Sequence, residues 1–411
     1  MSELFGQNLE RKKEALKELI KKIHEGENVE ELKRKFKESF GDVTSEEIAK
    51  VEEELIREGF PRDEIVKLCE VHLAVFKESV EREKSEAGKI SPFHPISILM
   101  KEHEIMQRNA EKMFHLLGNH TIDSLFQDHD ALGELEDLIN HFREAEKHYL
   151  REENALFPVV EKHGVTEPPK IMWMEHDSIR QIKKEIFETF ENFKRNPGSE
   201  IYNSLRELAG KLFTSLKSHF FKENSVLFPT ALRLVSEDEW QKVKQDFDEI
   251  GYCCFYPQPQ LLKEEKREST PSEISGEVIK LPSGSFTLRE LVAVLNTLPV
   301  DITFVDKNDE VKFFNETKDR IFVRTRGVVG RKVQNCHPQK SIHVVEKILQ
   351  EFKRGTRDVA DFWIWVKDRY ILIRYFAVRD ENGEYLGTLE VSQDITDIKK
   401  LEGEKRLLDW E

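Results

Sequence analysis

The chain has 411 residues, 64 of them basic and 79 acidic, for a formal net charge of -15. That acidic balance argues against a general nucleic-acid or anionic-membrane binder, and the length suffices for about three domains with cores of their own. The first residues, MSELFGQNLERKKEALKELI, turn amphipathic and charged at once, and no apolar run approaches the roughly 20 residues a membrane span needs. Neither a signal peptide nor a membrane segment is therefore expected, and a cytoplasmic location is. Four cysteines, Cys69, Cys253, Cys254 and Cys336, are too few and too scattered for a disulfide scaffold, and the adjacent pair reads as two small buried side chains.

Residues 1–85 predict a helical unit. Thr44 with Glu47 makes a capping box for a helix running to Arg57, and Gly59 followed by Pro61 ends it. On the next helix Cys69 and His72 share a face, but two ligands do not make a site, so a structural role is expected.

Residues 90–256 carry a duplicated unit. HYLREENALFP, from His148 to Pro158, returns as HFFKENSVLFP from His219 to Pro229, with His and Glu four residues apart in each copy. Upstream of each copy stands a second His followed by an acid: His103-Glu104 lies 45 residues before His148, and His176-Asp177 lies 43 before His219. On a helix, residues four apart face the same way, so His148 with Glu152 and His219 with Glu223 are each a ready bidentate metal clip. Together with the single histidines they supply four imidazoles and two carboxylates, a set without thiolate that suits iron, and less exclusively zinc, manganese or copper. Six ligands exceed the needs of one tetrahedral ion, and two carboxylates able to bridge make a dinuclear centre the natural reading. At roughly 1.5 Å per residue the spacing allows two half-helices of about 20 residues and a short turn, which predicts an antiparallel four-helix bundle with its ligands at mid-height. Pro158 and Pro229 are each expected to free a carbonyl one turn back and kink a helix, and the repeated Leu-Phe-Pro is assigned to packing. His141, matched by Leu212 in the other copy, reads as a neighbour of the ligands or a core residue. His94, between Pro92 and Pro95 at the expected helix start, reads as structural.

In this motif order residues 92–235 resemble the hemerythrin-like, or HHE, family. The resemblance implies that His103, His148, Glu152, His176, His219 and Glu223 bind a non-haem di-iron centre, with zinc or manganese less favoured. It is to the wider family: the oxygen-carrying hemerythrins have a fifth His on the third helix and an Asp on the fourth, where this chain has Arg180 and Glu223. That departure argues against reversible oxygen carriage. The preceding helical unit resembles the N-terminal domain of unknown function found before HHE domains in some archaeal and anaerobic bacterial proteins, which names no activity.

Residues 236–255 predict a closing helix, and residues 257–285 have the composition of a linker in which GEVIKL can pair as a strand. From residue 286 the pattern changes to alternation: ITFVD, a turn, VKFFN, long strands through DFWIWVKDRYILIRYFAV and a final EYLGTLEVSQDIT, with Asn382-Gly383 marking a hairpin between the last two. This order, with LPVDITFVDKNDEVKFFN as its opening, Gly330-Arg331 and His337-Pro338 in the middle and Asp394-Ile395-Thr396 as its exit, resembles a PAS domain over residues 288–397. Such domains bind small ligands, haem or flavin, or dimerise and relay signals. Cys336-His337 invites a haem reading, but His-Pro is common at that loop without a cofactor, so the PAS ligand stays unassigned. Trp363, Trp365, Tyr370, Tyr375 and Phe376 read as core or dimer surface.

The chain is thus expected to be a multidomain α plus α+β protein: an all-α N-terminal unit, an antiparallel four-helix hemerythrin-like bundle, a linker, a PAS antiparallel sheet with helices over 286–400, and an exit helix over 401–411. The function expected first is di-iron sensing of oxygen, nitric oxide or redox state, relayed through the PAS domain to a second copy or a separate output protein. A di-iron enzyme, reducing nitric oxide or peroxide or donating iron for cluster repair, and a structural interaction scaffold are the alternatives. No catalytic residue is assigned, and neither nucleic acid nor membrane is expected as a partner.

Overall fold

A computed structural model describes residues 90–253, 278–366 and 368–404, with scattered positions between 14 and 59. Thr44, Glu47, Cys69, His72 and Cys254 lie outside the described residues, as do most of the expected linker and residues 405–411 of the expected exit helix. The chain divides into two compact units, Met1–Gln260 and Leu261–Glu411. No helix among the described residues is long and apolar enough to cross a membrane.

In the first unit, helix α1 (Pro95–Asn119) begins at His94, whose Nδ1 accepts the Ile96 N–H at 3.2 Å and whose ring meets Trp240 edge-on at 4.5 Å. His94 is a cap, as its sequence position suggested. Where a short turn was expected, a small helix α2 (Ile122–Gln127) intervenes, held by a reciprocal Thr121–Ser124 capping box. The second arm is α3 (His129–Glu144), α4 (Glu146–Arg151), a π turn at Glu152–Leu156 and α5 (Phe157–Lys162). The third arm is α6 (Glu167–Arg195). The fourth is α7 (Ser199–Lys222), a second π turn at Glu223–Leu227 and α8 (Phe228–Leu234). Helix α9 (Glu237–Ile250) opens on a Ser236–Glu239 capping box and stops at Gly251, whose φ of 85° suits only a residue without a side chain.

Both π turns have one cause. Pro158 and Pro229 have no N–H to return to the carbonyls of Asn154 and Ser225, and in an α-helix their rings would press on those carbonyls. The helix widens instead, so that the Phe157 N–H reaches Glu152 O and the Phe228 N–H reaches Glu223 O, five residues back. At each expected kink the helix widens locally, beginning at each Glu of the duplicated unit.

Along every arm the apolar residues separate into two cores. Ile96 and Leu99, Phe157 and Val160, Ile171 and Met172, Leu227 and Phe228 join Trp240, Val243 and Phe247 in one core, to which Val51 and Leu55 also belong. Met106 to Leu117, Leu135 to Tyr149, Ile179 to Phe193 and Leu205 to Phe220 form the other. His103, Glu152, His176 and Glu223 fall at the sequence boundary between the two cores on their four arms. The polar layer therefore lies nearer the N-terminal ends of α1 and α6 than mid-height.

The second unit opens with an antiparallel hairpin of β1 (Val278–Leu281) and β2 (Gly284–Thr287), so GEVIKL does supply a strand. Helix α10 (Leu288–Thr297) follows, capped by Thr287 and Glu290. An antiparallel sheet has the order β4 (Val311–Phe314), β3 (Asp301–Asp306), β7 (Tyr385–Asp394), β6 (Arg369–Arg379), β5 (Val359–Val366). Helix α11 (Gln339–Arg354) connects β4 to β5 and stops at Gly355 in the left-handed region. The β6–β7 turn contains Gly383 at φ 82°, where the Asn-Gly signal placed it.

Candidate metal centre

The bundle brings all six ligand-type residues together in its buried polar layer. They form two overlapping sets, His103, His148, Glu152 and Glu223, and Glu152, His176, His219 and Glu223, in each of which one donor atom per residue lies within 4.8 Å of the others. Glu152 and Glu223 belong to both. All four imidazoles turn Nε2 inward: His103 and His219 each approach Glu223 at 3.1 Å, while His148 and His176 approach Glu152 at 3.5 and 3.3 Å. Both carboxylate oxygens of Glu152 and of Glu223, with Nε2 of His176 and His219, make no hydrogen bond among the described residues although shielded from water. Buried polar atoms are nearly always bonded. Donors left unbonded and crowded together are what a metal ligand set requires, and two shared carboxylates between two pairs of imidazoles fit a dinuclear site better than one tetrahedral ion.

The rings are walled by the aromatic residues of the duplicated unit. Phe220 stacks on His103 at 4.0 Å, Tyr149 packs against His176 at 4.6 Å, and Phe228 and Phe157 lie nearly parallel to His103 and His176 at 5.3 and 5.8 Å. Leu-Phe-Pro thus does serve packing. His141 is half-buried on α3 and belongs to neither ligand set.

A second ring of residues, absent from the sequence reading, orients the imidazoles. His148 Nδ1 and Glu102 Oε2 lie 2.8 Å apart, as do His219 Nδ1 and Glu175 Oε2, and His176 Nδ1 and Glu153 Oε1. His103 Nδ1 meets Asn224 Oδ1 at 3.2 Å. With each Nδ1 donating outward, Nε2 keeps its lone pair free for a metal, and the carboxylate partners raise the basicity of the ring. Beyond them Arg151 bonds Glu102 at 2.5 and 2.6 Å, with Cys253 Sγ at 3.8 Å, and Lys222 bonds Glu175 in the equivalent place. The signal was present: Glu precedes both lone histidines, and a basic residue follows both clip histidines at the third position. Arg180, where the oxygen carriers have a fifth His, holds Glu153 with two bonds of 2.8 and 3.0 Å.

Charge in the layer is tightly constrained. Burial and the adjacent Glu223 carboxylate push the Glu152 carboxyl up to about 8. Burial acts the same way on Glu223, but His219, His103 and His176 overcome it and hold its carboxyl well below the usual range. His148, fully enclosed, is lowered to about 4 by burial, and for His219 the acidic Glu223 and Glu175 overcome burial and raise it to about 9. Two buried carboxylates this close ionise together only against concentrated positive charge, which divalent cations supply.

Four antiparallel arms with an inward layer of imidazoles and carboxylates define a metal-binding helical bundle. Residues 94–231 match the family described as Hemerythrin HHE cation binding domain, residues 291–396 match PAS domain, and residues 16–82 match a family of unknown function, DUF438. The chain accordingly carries a DUF438 segment, a metal-binding hemerythrin HHE domain and a C-terminal PAS domain, in that order. No curated protein matches it. Among solved structures it is similar to a C-terminal domain from Streptococcus mutans, with 32% identity over 31% of this chain and 98% of that one and a TM-score of 0.30. A PAS domain from Colwellia psychrerythraea shares 16% identity over 27% and 98% of the two chains at a TM-score of 0.22, and the PAS domain of Bordetella pertussis BvgS shares 18% over 28% and 89% at 0.23. Scores this low bear on no functional point.

Proposed function

We propose that the chain is a non-haem di-iron sensor, with His103, His148, Glu152, His176, His219 and Glu223 holding two iron ions and the PAS domain relaying their state. The observation that carries this reading is the pair of carboxylates, Glu152 and Glu223, shared by two sets of imidazoles, with all four of their oxygens and Nε2 of His176 and His219 unbonded among the described residues. A ferrous pair held there would supply electrons to oxygen or a coordination position to nitric oxide. The protein's part is to fix the imidazoles through Glu102, Glu153, Glu175 and Asn224 and to exclude water with four aromatic rings. For the relay, Trp363 and Trp365 lie 62% and 63% exposed on edge strand β5, an apolar surface suited to a second copy or an output protein.

Metal analysis of anaerobically purified protein is expected to give about two iron atoms per chain; near-stoichiometric zinc with trace iron would overturn the reading. The visible spectrum is expected to change on exposure to air or nitric oxide without sustained consumption of either. Multiple turnovers with a supplied reductant would make the protein an enzyme. Association of the full-length chain, followed by analytical ultracentrifugation, is expected to differ between reduced and oxidised states, and identical sedimentation would remove the relay.

A further inference from the structure

The duplicated unit matches in its ligands and not in what surrounds them. Around the first clip and the second lone His, Glu153 is buried behind Arg180, and Arg180 and Lys183 both bond Glu146, at 2.8 and 3.4 Å. Counting the same offsets from the other lone His and the other clip, His103 and His219, gives Asn224, Gln107, Ala110 and Lys217 at these positions. An amide stands for the carboxylate, an amide for the guanidinium, a methyl for the ammonium and a cation for Glu146. The ion cluster cannot form. An open cleft of about 590 Å³ lies there, lined among others by Gln107, Thr214, Lys217, Phe220 and Asn224.

This cleft comes within one side chain of a ligand. Asn224, half-buried at its lining, has Oδ1 3.2 Å from His103 Nδ1, and Phe220 stacks on the same imidazole. His103 is also the one ligand oriented by a neutral amide, since His148, His176 and His219 each face a carboxylate. An imidazole that donates to an amide is less basic, and so a weaker metal ligand, than one that donates to a carboxylate. Access and ligand strength point to the same half of the site.

Resting on the two-metal reading, we propose that the position built from His103 and His148 is the exchangeable one, reached by small ligands and chelators through the Gln107–Asn224 cleft, whereas the position built from His176 and His219 retains its ion. The two halves differ in lability because Asn224 and Gln107 stand where Glu153 and Arg180 seal the other side.

The test mixes anaerobically ferrous-loaded full-length protein with excess 2,2′-bipyridine and follows the coloured complex. Two equivalents are expected to leave in two phases of equal amplitude, the first about 10- to 100-fold faster, the range by which partners of ligating histidines alter metal affinity. The pair Asn224→Glu with Gln107→Arg, which restores the carboxylate and guanidinium of the other side, is expected to slow the fast phase toward the slow one and leave the slow one alone. Thr214→Trp, at the exposed rim, narrows the cleft without touching any ligand partner and is expected to slow the fast phase too. Two equivalents leaving in a single phase, or a fast phase indifferent to both variants, would overturn the proposal while leaving the two-metal reading intact. Loading of only one equivalent would bring down both.

Discussion

Buried polarity occurs in both units, and its bonding differs. In the bundle, Glu152, Glu223, His176 and His219 bring into one small volume donor atoms that no hydrogen bond among the described residues satisfies. In the PAS unit the buried Asn315 accepts the Ile302 N–H at 2.6 Å and donates to Val300 O and Leu295 O at 2.9 and 3.0 Å. Asp301 beside it is filled by the Thr317 hydroxyl and the Ile321 N–H. Asn315 ties α10 and β3 to the end of β4, and its bonds are complete. A buried polar residue is thus a site signal when its donor atoms converge without partners, and a structural one when each is paired within the fold.

The largest expected contrast is in metal content. His148→Ala and Glu223→Ala each remove a proposed ligand, Glu223 from both sets, and are expected to abolish stoichiometric metal, while His94→Ala loses only a helix cap and keeps it. Metal analysis of the three purified variants checks this, and equal losses would break the distinction between ligand and cap. Next, Glu175→Gln keeps the shape of the partner to His219 but removes its charge. Metal affinity is expected to fall about 10- to 100-fold by chelator competition, with helical content by circular dichroism unchanged.

The opposite outcome is expected for Asn315→Ala. It leaves the Ile302 N–H and the Leu295 and Val300 carbonyls without their partner, at about 1–3 kcal/mol for an unsatisfied buried group, so the PAS transition should shift down in a thermal melt while metal content stays constant. A metal loss in this variant would mean that the two units are not energetically separate. The smallest effect concerns His337, whose imidazole burial holds below its ordinary value. As pH falls through about 6.5, the unfolded chain takes up this proton and the folded chain does not, so stability falls with pH. His337→Gln is expected to flatten that loss for the PAS transition between pH 7 and 5, and an unchanged slope would show that His337 does not contribute to it.

Much of the bundle was legible because it is written twice. The offsets between His103 and His148 and between His176 and His219, with His and Glu four residues apart in each clip, carried the proposed ligand set, the helical class and the antiparallel arrangement. The PAS sheet was legible through alternation and the Asn382-Gly383 turn. The partners Glu102, Glu153 and Glu175 were harder to see: acidic residues are abundant in a chain with 79 of them, and an exposed helix face carries the same letters. The π turns also escaped the reading, because a proline inside a helical pattern announces a broken hydrogen bond without saying whether the helix bends or widens.

By itself the sequence determined which residues could act as ligands, since donor chemistry and helical periodicity are properties of local chain. Only the tertiary structure decided what surrounds each of them. Whether Arg180 seals Glu153, whether Asn224 opens toward a cleft, and which imidazole faces a carboxylate all depend on side chains brought together from different arms. Glu102 and His148 are 46 residues apart, and His103 and Asn224 are 121 apart. No local periodicity encodes such contacts, because they exist only once the two cores have fixed how the four arms pack.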